Sequence, residues 1–335
     1  GALRMGLGGL VGGATASLLP ALVDPGWPLL IGSRFVEGFG FMVVAVACPA
    51  LITAASGPDD RRFALGLWSA YMPAGASVAM ACAPWLLPAT GWRGLWLLTG
   101  AALLLAAAVL GWQRPHFGAG AAPSTAARVS FLGPVRQALG QPLPWLLVLL
   151  FGVWATQHFA LIVWMPTYLQ EQRGTGAAAT ALLTALMLVA CVPGNLLGGA
   201  LVQRGVARGR LLALSQVCTG AGALVYGSEA LPDALRYAAA VFVSFSGGVV
   251  PAAVMASSTV LARTPQQIGT LQGLYMQGAQ LGQFVGTPLI AAVVAATHDW
   301  RSALVVTGSA ALIGIALGLS AQRLESRLAH GHAPA

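Results

Sequence analysis

Apolar residues follow one another along most of this chain, without the two-residue alternation of a half-buried strand or the narrow apolar stripe of a surface helix. The runs approach the roughly 20 residues that a helix needs to cross a hydrocarbon layer about 30 Å thick. Ten spans follow from the pattern: residues 5–22, 29–55, 63–87, 93–112, 145–169, 177–202, 211–226, 235–261, 268–296 and 301–319. Short polar breaks such as Asp24-Pro25-Gly26 and Gly57-Pro58-Asp59-Asp60 separate them with residues that stop helices. The longest break, residues 113–143, holds Pro115, Gly118, Gly120, Pro123 and Ser124 and reads as a loop between two bundles. The expected organisation is a four-helix bundle over residues 1–112, that loop, a six-helix bundle over residues 144–321 and a polar tail over residues 322–335.

Composition turns this pattern into an all-α membrane protein. Hydrophobic residues make up 57% and charged residues 8% of the chain, against about 25% charged in a soluble domain. The formal charge of +8 comes from 17 arginines and no lysine. A basic total can signal nucleic acid, but these arginines gather at helix ends rather than in one patch, so no nucleic-acid partner is expected. Counting loops alternately puts twelve on one side, among them Arg4, Arg61, Arg62, Arg128, Arg204, Arg208, Arg263 and Arg323. Four, Arg93, Arg173, Arg236 and Arg301, fall on the other. That bias places both termini in the cytoplasm, in a plasma membrane of the bacterial inner type. Trp27, Trp92, Trp112, Trp145 and Trp300 fall near span ends, where an aromatic belt belongs. Cys48, Cys82, Cys191 and Cys218 lie within apolar spans and read as packing residues. No metal site or cofactor is expected.

An internal repeat organises the spans. Arg34 matches Arg236 and Pro49 matches Pro251 at a separation of 202. Gly66, Trp68 and Gly75 match Gly273, Tyr275 and Gly282 at 207, and Trp92-Arg93 matches Trp300-Arg301 at 208. Two halves on one plan are the architecture of transporters, with the solute between them near the midplane. The second half has six spans and the first four, so two helices preceding Gly1, about 60 residues with their loops, are expected in a complete protein of twelve.

The candidate chemistry starts at Arg34 and Glu37, which share a helix face at i, i+3. A charge at mid-membrane costs about 2.5–3.5 kcal/mol on insertion scales, so such groups pair, snorkel or work. A snorkelling Arg34 is the plain alternative to a part in transport. His158 lies near the centre of its span, where an imidazole can bind an anion, relay a proton or hydrogen-bond a neighbouring helix. Gln277, Gln280 and Gln283 step by three along one span, as a cavity lining or as glue between helices. Tyr71 falls one residue from register with Gln277 in the repeat and is a further candidate for the lining. Gly8 with Gly12, Gly9 with Gly13, Gly194 with Gly198 and Gly314 with Gly318 have the spacing that lets helices approach closely.

These features resemble the major facilitator superfamily. Residues 33–40, Ser-Arg-Phe-Val-Glu-Gly-Phe-Gly, are similar to its fourth-helix motif, whose Arg is linked to proton coupling; Glu37 stands where Gln is common. Residues 199–205, followed by Arg208 and Arg210, are similar to its loop motif between paired helices, with Gln203 in place of Asp. The resemblance makes Gly199, Arg204 and Arg208 a conformational loop. Gly66 and Gly75 have the spacing of the antiporter motif, but Ala79 and Met80 replace its Gly-Pro. Residues 164–169 and Pro193-Gly194-Asn195 resemble the cyanate and nitroimidazole porter branch. The resemblance implies a two-bundle fold and a monomeric, proton-coupled secondary transporter of a small solute, with the lipid bilayer as its surroundings. An exporter of lipophilic compounds is the alternative, and a membrane scaffold or sensor is the alternative of another class. An enzyme is disfavoured: there is no His-Glu-x-x-His, Ser246-Gly247-Gly248 has Ser244 where a nucleophile elbow needs Gly, and a phosphate loop needs a lysine the chain lacks.

Overall fold

The computed structural model describes residues 1–57, 60, 64, 67–68, 70–118, 132–262 and 264–330. Pro58, Asp59, Arg61, Arg62, Phe63, Gly66, Gly120, Pro123, Ser124, Arg128 and Arg263 lie outside them. The described residues are helical almost throughout: α1 (Ala2–Leu22), α2 (Trp27–Ala55), α3 (Tyr71–Trp112), the short α4 (Arg114–Gly118) and α5 (Leu132–Leu139), then α6 (Pro142–Arg173), α7 (Ala177–Gln203), α8 (Arg208–Gly227), α9 (Asp233–Leu261), α10 (Pro265–Thr297), a 3-10 turn (Trp300–Ser302) and α11 (Ala303–His330). Prolines enter α2, α6 and α10 in the first turn, where a missing N–H costs nothing.

Among the described residues eight helices are long and apolar enough to cross a membrane. The difference from the ten-span pattern lies at two places. Residues 71–112, labelled α3, are two helical segments that meet at a kink at Gly91, whose φ of 64° and ψ of −176° are not helical. Pro84 and Pro88 lie just upstream, where each removes a backbone donor from the helical ladder. α8 exists as a helix of 20 residues but carries Ser215, Gln216 and Thr219 on its buried face, and is not one of the eight. The central break contains two short helices, and the polar tail continues α11 in helix as far as His330.

Residue contacts divide the chain into two units, residues 1–68 with 82–128 and residues 69–81 with 129–335. In the first, α1 packs along α2. A Cβ placed on Gly40 would lie 2.7 Å from the Gly9 carbonyl oxygen, and one on Gly9 would lie 2.8 Å from that of Gly40. Gly13 belongs to the same seam, whereas Gly8 and Gly12 face open space. One residue along a helix turns the side chain by about 100°, so the Gly8–Gly12 pair points off the face its neighbours use.

In the second unit α6 packs on α10, α7 on α9, and α8 on both α9 and α11. Close backbone approach recurs here: a Cβ on Gly152 would meet the Gly278 oxygen at 2.9 Å, and one on Gly198 the Val249 oxygen at 2.8 Å. Small residues allow this where lipid on the outside gives apolar side chains no reason to prefer each other. The core is a cluster built on Leu147, Leu150, Phe151, Trp154, Leu212, Val250 and Tyr275.

Candidate functional site

The first unit joins its charges around α2. Arg34 and Glu37 form an ion pair one turn apart. α1 lies close enough to add to it, because the glycine seam brings the backbones together. The buried Ser17 hydroxyl donates to Glu37 Oε1 at 2.9 Å, and Arg34 reaches the Ala16 carbonyl oxygen at 3.4 Å. The Arg34 guanidinium also lies 4.0 Å above the centre of the Trp96 ring, a favourable place for a cation. Glu37 therefore accepts from two side chains on two helices, and Arg34 is held by a carboxylate, a carbonyl and a ring.

The second unit repeats this plan with changes. Arg236, the repeat partner of Arg34, is 5% exposed. Its Nε donates to the Tyr226 carbonyl at 2.8 Å, and one terminal nitrogen donates to the Tyr168 hydroxyl at 2.6 Å. Its acid precedes it by a turn: Asp233 lies 3.5 Å from Arg236 and 3.3 Å from Arg173. A latch recurs as well. Asp24, in the loop after α1, pairs with Arg93 at 2.8 Å, and Glu229, in the loop after α8, pairs with Arg301.

Arg236, Glu229 and Arg301 are in the wall of a cavity of about 80 Å³ lined by α6, α8, α9, α10, the 3-10 turn and α11, together with Gln157, Trp164, Tyr168, Tyr226 and Trp300. His158, Gln277, Gln280 and Tyr71 do not line it. His158 is 3% exposed and stacks on Trp154, ring centres 4.7 Å apart. A Cβ on Gly247 would sit 2.7 Å from its Nδ1, and that nitrogen has no hydrogen-bond partner. Its Nε2 lies 4.0 Å from Cys191 Sγ on α7, a contact in keeping with the third reading of His158, a hydrogen bond to a neighbouring helix. Gln277 is exposed and Gln280 half-buried on α10, and Tyr71 is half-buried at the start of α3.

At the other end of this unit Arg208 pairs with Glu325 at 3.2 Å, both side chains less than a fifth exposed. The loop residue thereby joins α8 to the C-terminal turns of α11. Arg204 is exposed at the end of α7, and Gly199 has open space around it.

Arg236, Tyr168 and Tyr226 were not among the residues singled out for chemistry. Arg236 sits near the start of its span and reads there as an interfacial arginine. The match to Arg34 was the signal that could have found it.

Long apolar helices with charges paired inside them and one plan used twice define a multi-pass membrane protein built on a transporter's plan. The Major Facilitator Superfamily model matches residues 1–287 and again 175–334, and the chain belongs to that superfamily. Over 194 residues it is 27% identical to the probable sulfoacetate transporter SauU of Cupriavidus necator, a match covering 52% of this chain and 44% of that protein. The chain thus spans less than half the length of that curated relative. Among solved structures it is similar to the outward conformation of the transporter FucP, with a TM-score of 0.70, 15% identity, and 96% of this chain and 83% of that chain covered. A bacterial homologue of the human lysosomal transporter Spinster, inward-facing and occupied, gives a TM-score of 0.71 at 15% identity, covering 95% and 82%. At such identities the likeness establishes the fold.

Proposed function

We propose that this chain is a secondary transporter that moves a small organic anion by alternating access, coupled to protons through Arg34 and Glu37. The observation that carries the reading is the Arg34–Glu37–Ser17 cluster on two apolar helices. An ion pair within a span is retained at a cost, and a carboxylate held by one guanidinium and one hydroxyl can exchange its proton without leaving the cation bare. Arg34 would hold the charge of Glu37 or that of the solute in turn. The solute class is supported by the name of the relative, a probable sulfoacetate transporter, and by cationic side chains that are all arginine, the residue suited to planar recognition of oxyanions.

The remaining expectations fit this reading without being needed by it. Ten spans follow if α3 counts as two crossings about Gly91 and α8 as one, and twelve rests on the sequence repeat. The domain division at residues 112 and 144, the monomeric state, cytoplasmic termini in an inner membrane and the cyanate and nitroimidazole branch rest on sequence pattern. Tyr71, Gln277 and Gln280 belong to the proposal as lining residues. His158 enters it as a packing residue.

The test is uptake of sulfoacetate into proteoliposomes under an imposed pH gradient, with proton movement followed in parallel. Coupled uptake that Glu37→Gln abolishes supports the reading. Uptake that ignores both the gradient and Glu37→Gln refutes the coupling. Efflux of lipophilic compounds in place of anion uptake turns the reading to an exporter, and no flux of either kind to a scaffold or sensor.

A further inference from the structure

We propose that the cavity around Arg236 is a binding site for a small hydroxylated organic monoanion, lying wholly within the second unit and separate from the Arg34–Glu37 cluster. Three observations carry it. The first is charge. Arg236 lines the cavity and shares one carboxylate, Asp233, with Arg173, both of these lying outside its wall, so this trio holds one positive charge in excess. Elsewhere in the wall Glu229 pairs with Arg301, and Asp299, which accepts the Arg301 backbone N–H at 2.8 Å, carries a negative charge of its own, so an anion belongs against Arg236 and away from Asp299. The Arg236 guanidinium donates to the Tyr226 carbonyl and the Tyr168 hydroxyl and faces Asp233 at 3.5 Å, which leaves part of its five N–H groups for a ligand oxygen.

The second observation is an orphan. Gln157 lines the cavity, is 1% exposed, and donates through Nε2 to Gln216 at 2.6 Å, while its Oε1 has no hydrogen-bond partner. A buried acceptor left unpaired is costly, and a hydroxyl on the ligand would satisfy it. The third is size and wall. A water needs about 10–15 Å³ of such space, so about 80 Å³ takes roughly five to eight non-hydrogen atoms. Trp164, Trp300 and Leu304 offer apolar surface for a short carbon chain. An acid group on Arg236, two or three carbons against the tryptophans and a hydroxyl on Gln157 fit that space. Tyr168, Tyr226 and Arg236 also line a second cavity, of about 320 Å³, with Arg173 and Asp233. These three side chains are a wall shared by both spaces.

The site shares with the transport reading only the anionic class of solute. It is tested by binding rather than flux, with the purified full chain in detergent, Trp fluorescence and calorimetry as readouts, and 2-hydroxyethanesulfonate, ethanesulfonate and glycolate as probes. The expected result is saturable binding of 2-hydroxyethanesulfonate, with ethanesulfonate weaker by roughly fivefold for the missing hydroxyl. Arg236→Gln should weaken binding by about tenfold or more, and Arg4→Ala, at an exposed arginine of the first unit, should leave it unchanged. Ala303→Phe fills the cavity from α11 and should abolish binding, which keeps the test decisive where Arg236→Gln does not fold. Glycolate binding in place of the sulfonates would assign a carboxylate head. Binding unchanged in Ala303→Phe, binding lost in Arg4→Ala, or no saturation with any probe overturns the proposal. Binding that persists where no flux is found refutes the transport reading and leaves this site standing.

Discussion

Gly38 and Gly40 lie two residues apart on α2, and replacing each with alanine separates packing from helix propensity. Either change gains roughly 0.5–1 kcal/mol, because glycine gives up more backbone freedom than alanine in a helix. At Gly38 nothing lies within 4 Å of the new methyl, so that gain stands alone. At Gly40 the methyl would meet the Gly9 oxygen at 2.7 Å and the Gly13 nitrogen at 3.2 Å, both backbone atoms that no side-chain rotation can move. Overpacking of this kind costs about 1–3 kcal/mol. The propensity term is common to both variants, so their stabilities should differ by that same 1–3 kcal/mol, with Gly38→Ala the more stable.

The clash is relieved by moving α1 away from α2, and α1 carries Ser17 and Ala16. Gly40→Ala should therefore lose the hydrogen bond from Ser17 to Glu37, which is 2.9 Å long, and with it part of the proton-coupled uptake. Thermal unfolding in one detergent, with uptake measured on the same preparations, checks both halves. Equal midpoints for the two variants would show that the seam is not close-packed, and the position of Ser17 beside Glu37 would lose its basis.

Three further outcomes follow from the geometry. Arg208→Ala and Glu325→Ala should couple in a double-mutant cycle by about 0.5–1.5 kcal/mol, since their ion pair is largely buried at 3.2 Å; zero coupling in thermal or denaturant unfolding would reduce it to a surface contact. His158→Phe should keep uptake, because it removes the unpartnered Nδ1, preserves the stacking on Trp154 and loses only the 4.0 Å contact of Nε2 with Cys191 Sγ; lost uptake in a folded variant would return His158 to the transport chemistry. Gly247→Leu should destabilise the second unit by at least about 1 kcal/mol, since its first added carbon already falls 2.7 Å from His158 Nδ1, and an unchanged unfolding midpoint would contradict that packing.

Apolar run length made the helices legible, and charge placement made Arg34 and Glu37 legible, because both are local properties of the chain. The kink was less so. A break between residues 87 and 93 is visible as Pro88 and Gly91, but whether a chain stops or bends there depends on what holds the segments on either side. Arg236 and its partners were harder still. Tyr168 is 68 residues away in sequence and sits in a span that reads as plain membrane helix. Its hydroxyl acquires meaning only when α6 and α9 are brought together. His158 was legible only as a polar residue in mid-span: the packing of Gly247 and Trp154 around it comes from other turns and helices and is not local to the chain.

The repeat explains why two arginines of common origin end in different environments. In each half the arginine takes a carbonyl from the preceding long helix, Ala16 for Arg34 and Tyr226 for Arg236. Its acid lies one turn after it in α2 and one turn before it in α9. Asp233 is the first residue of α9 and is exposed, whereas Glu37 lies within the span of α2. Arg236 is 5% exposed and Arg34 is exposed. Proton coupling through Glu37 requires Asp233→Asn to spare the pH dependence of uptake that Glu37→Gln removes. Vesicle uptake measured across the same pH gradient for both variants decides it: loss of the pH dependence in Asp233→Asn would mean that the acid of the second half takes part in the coupling.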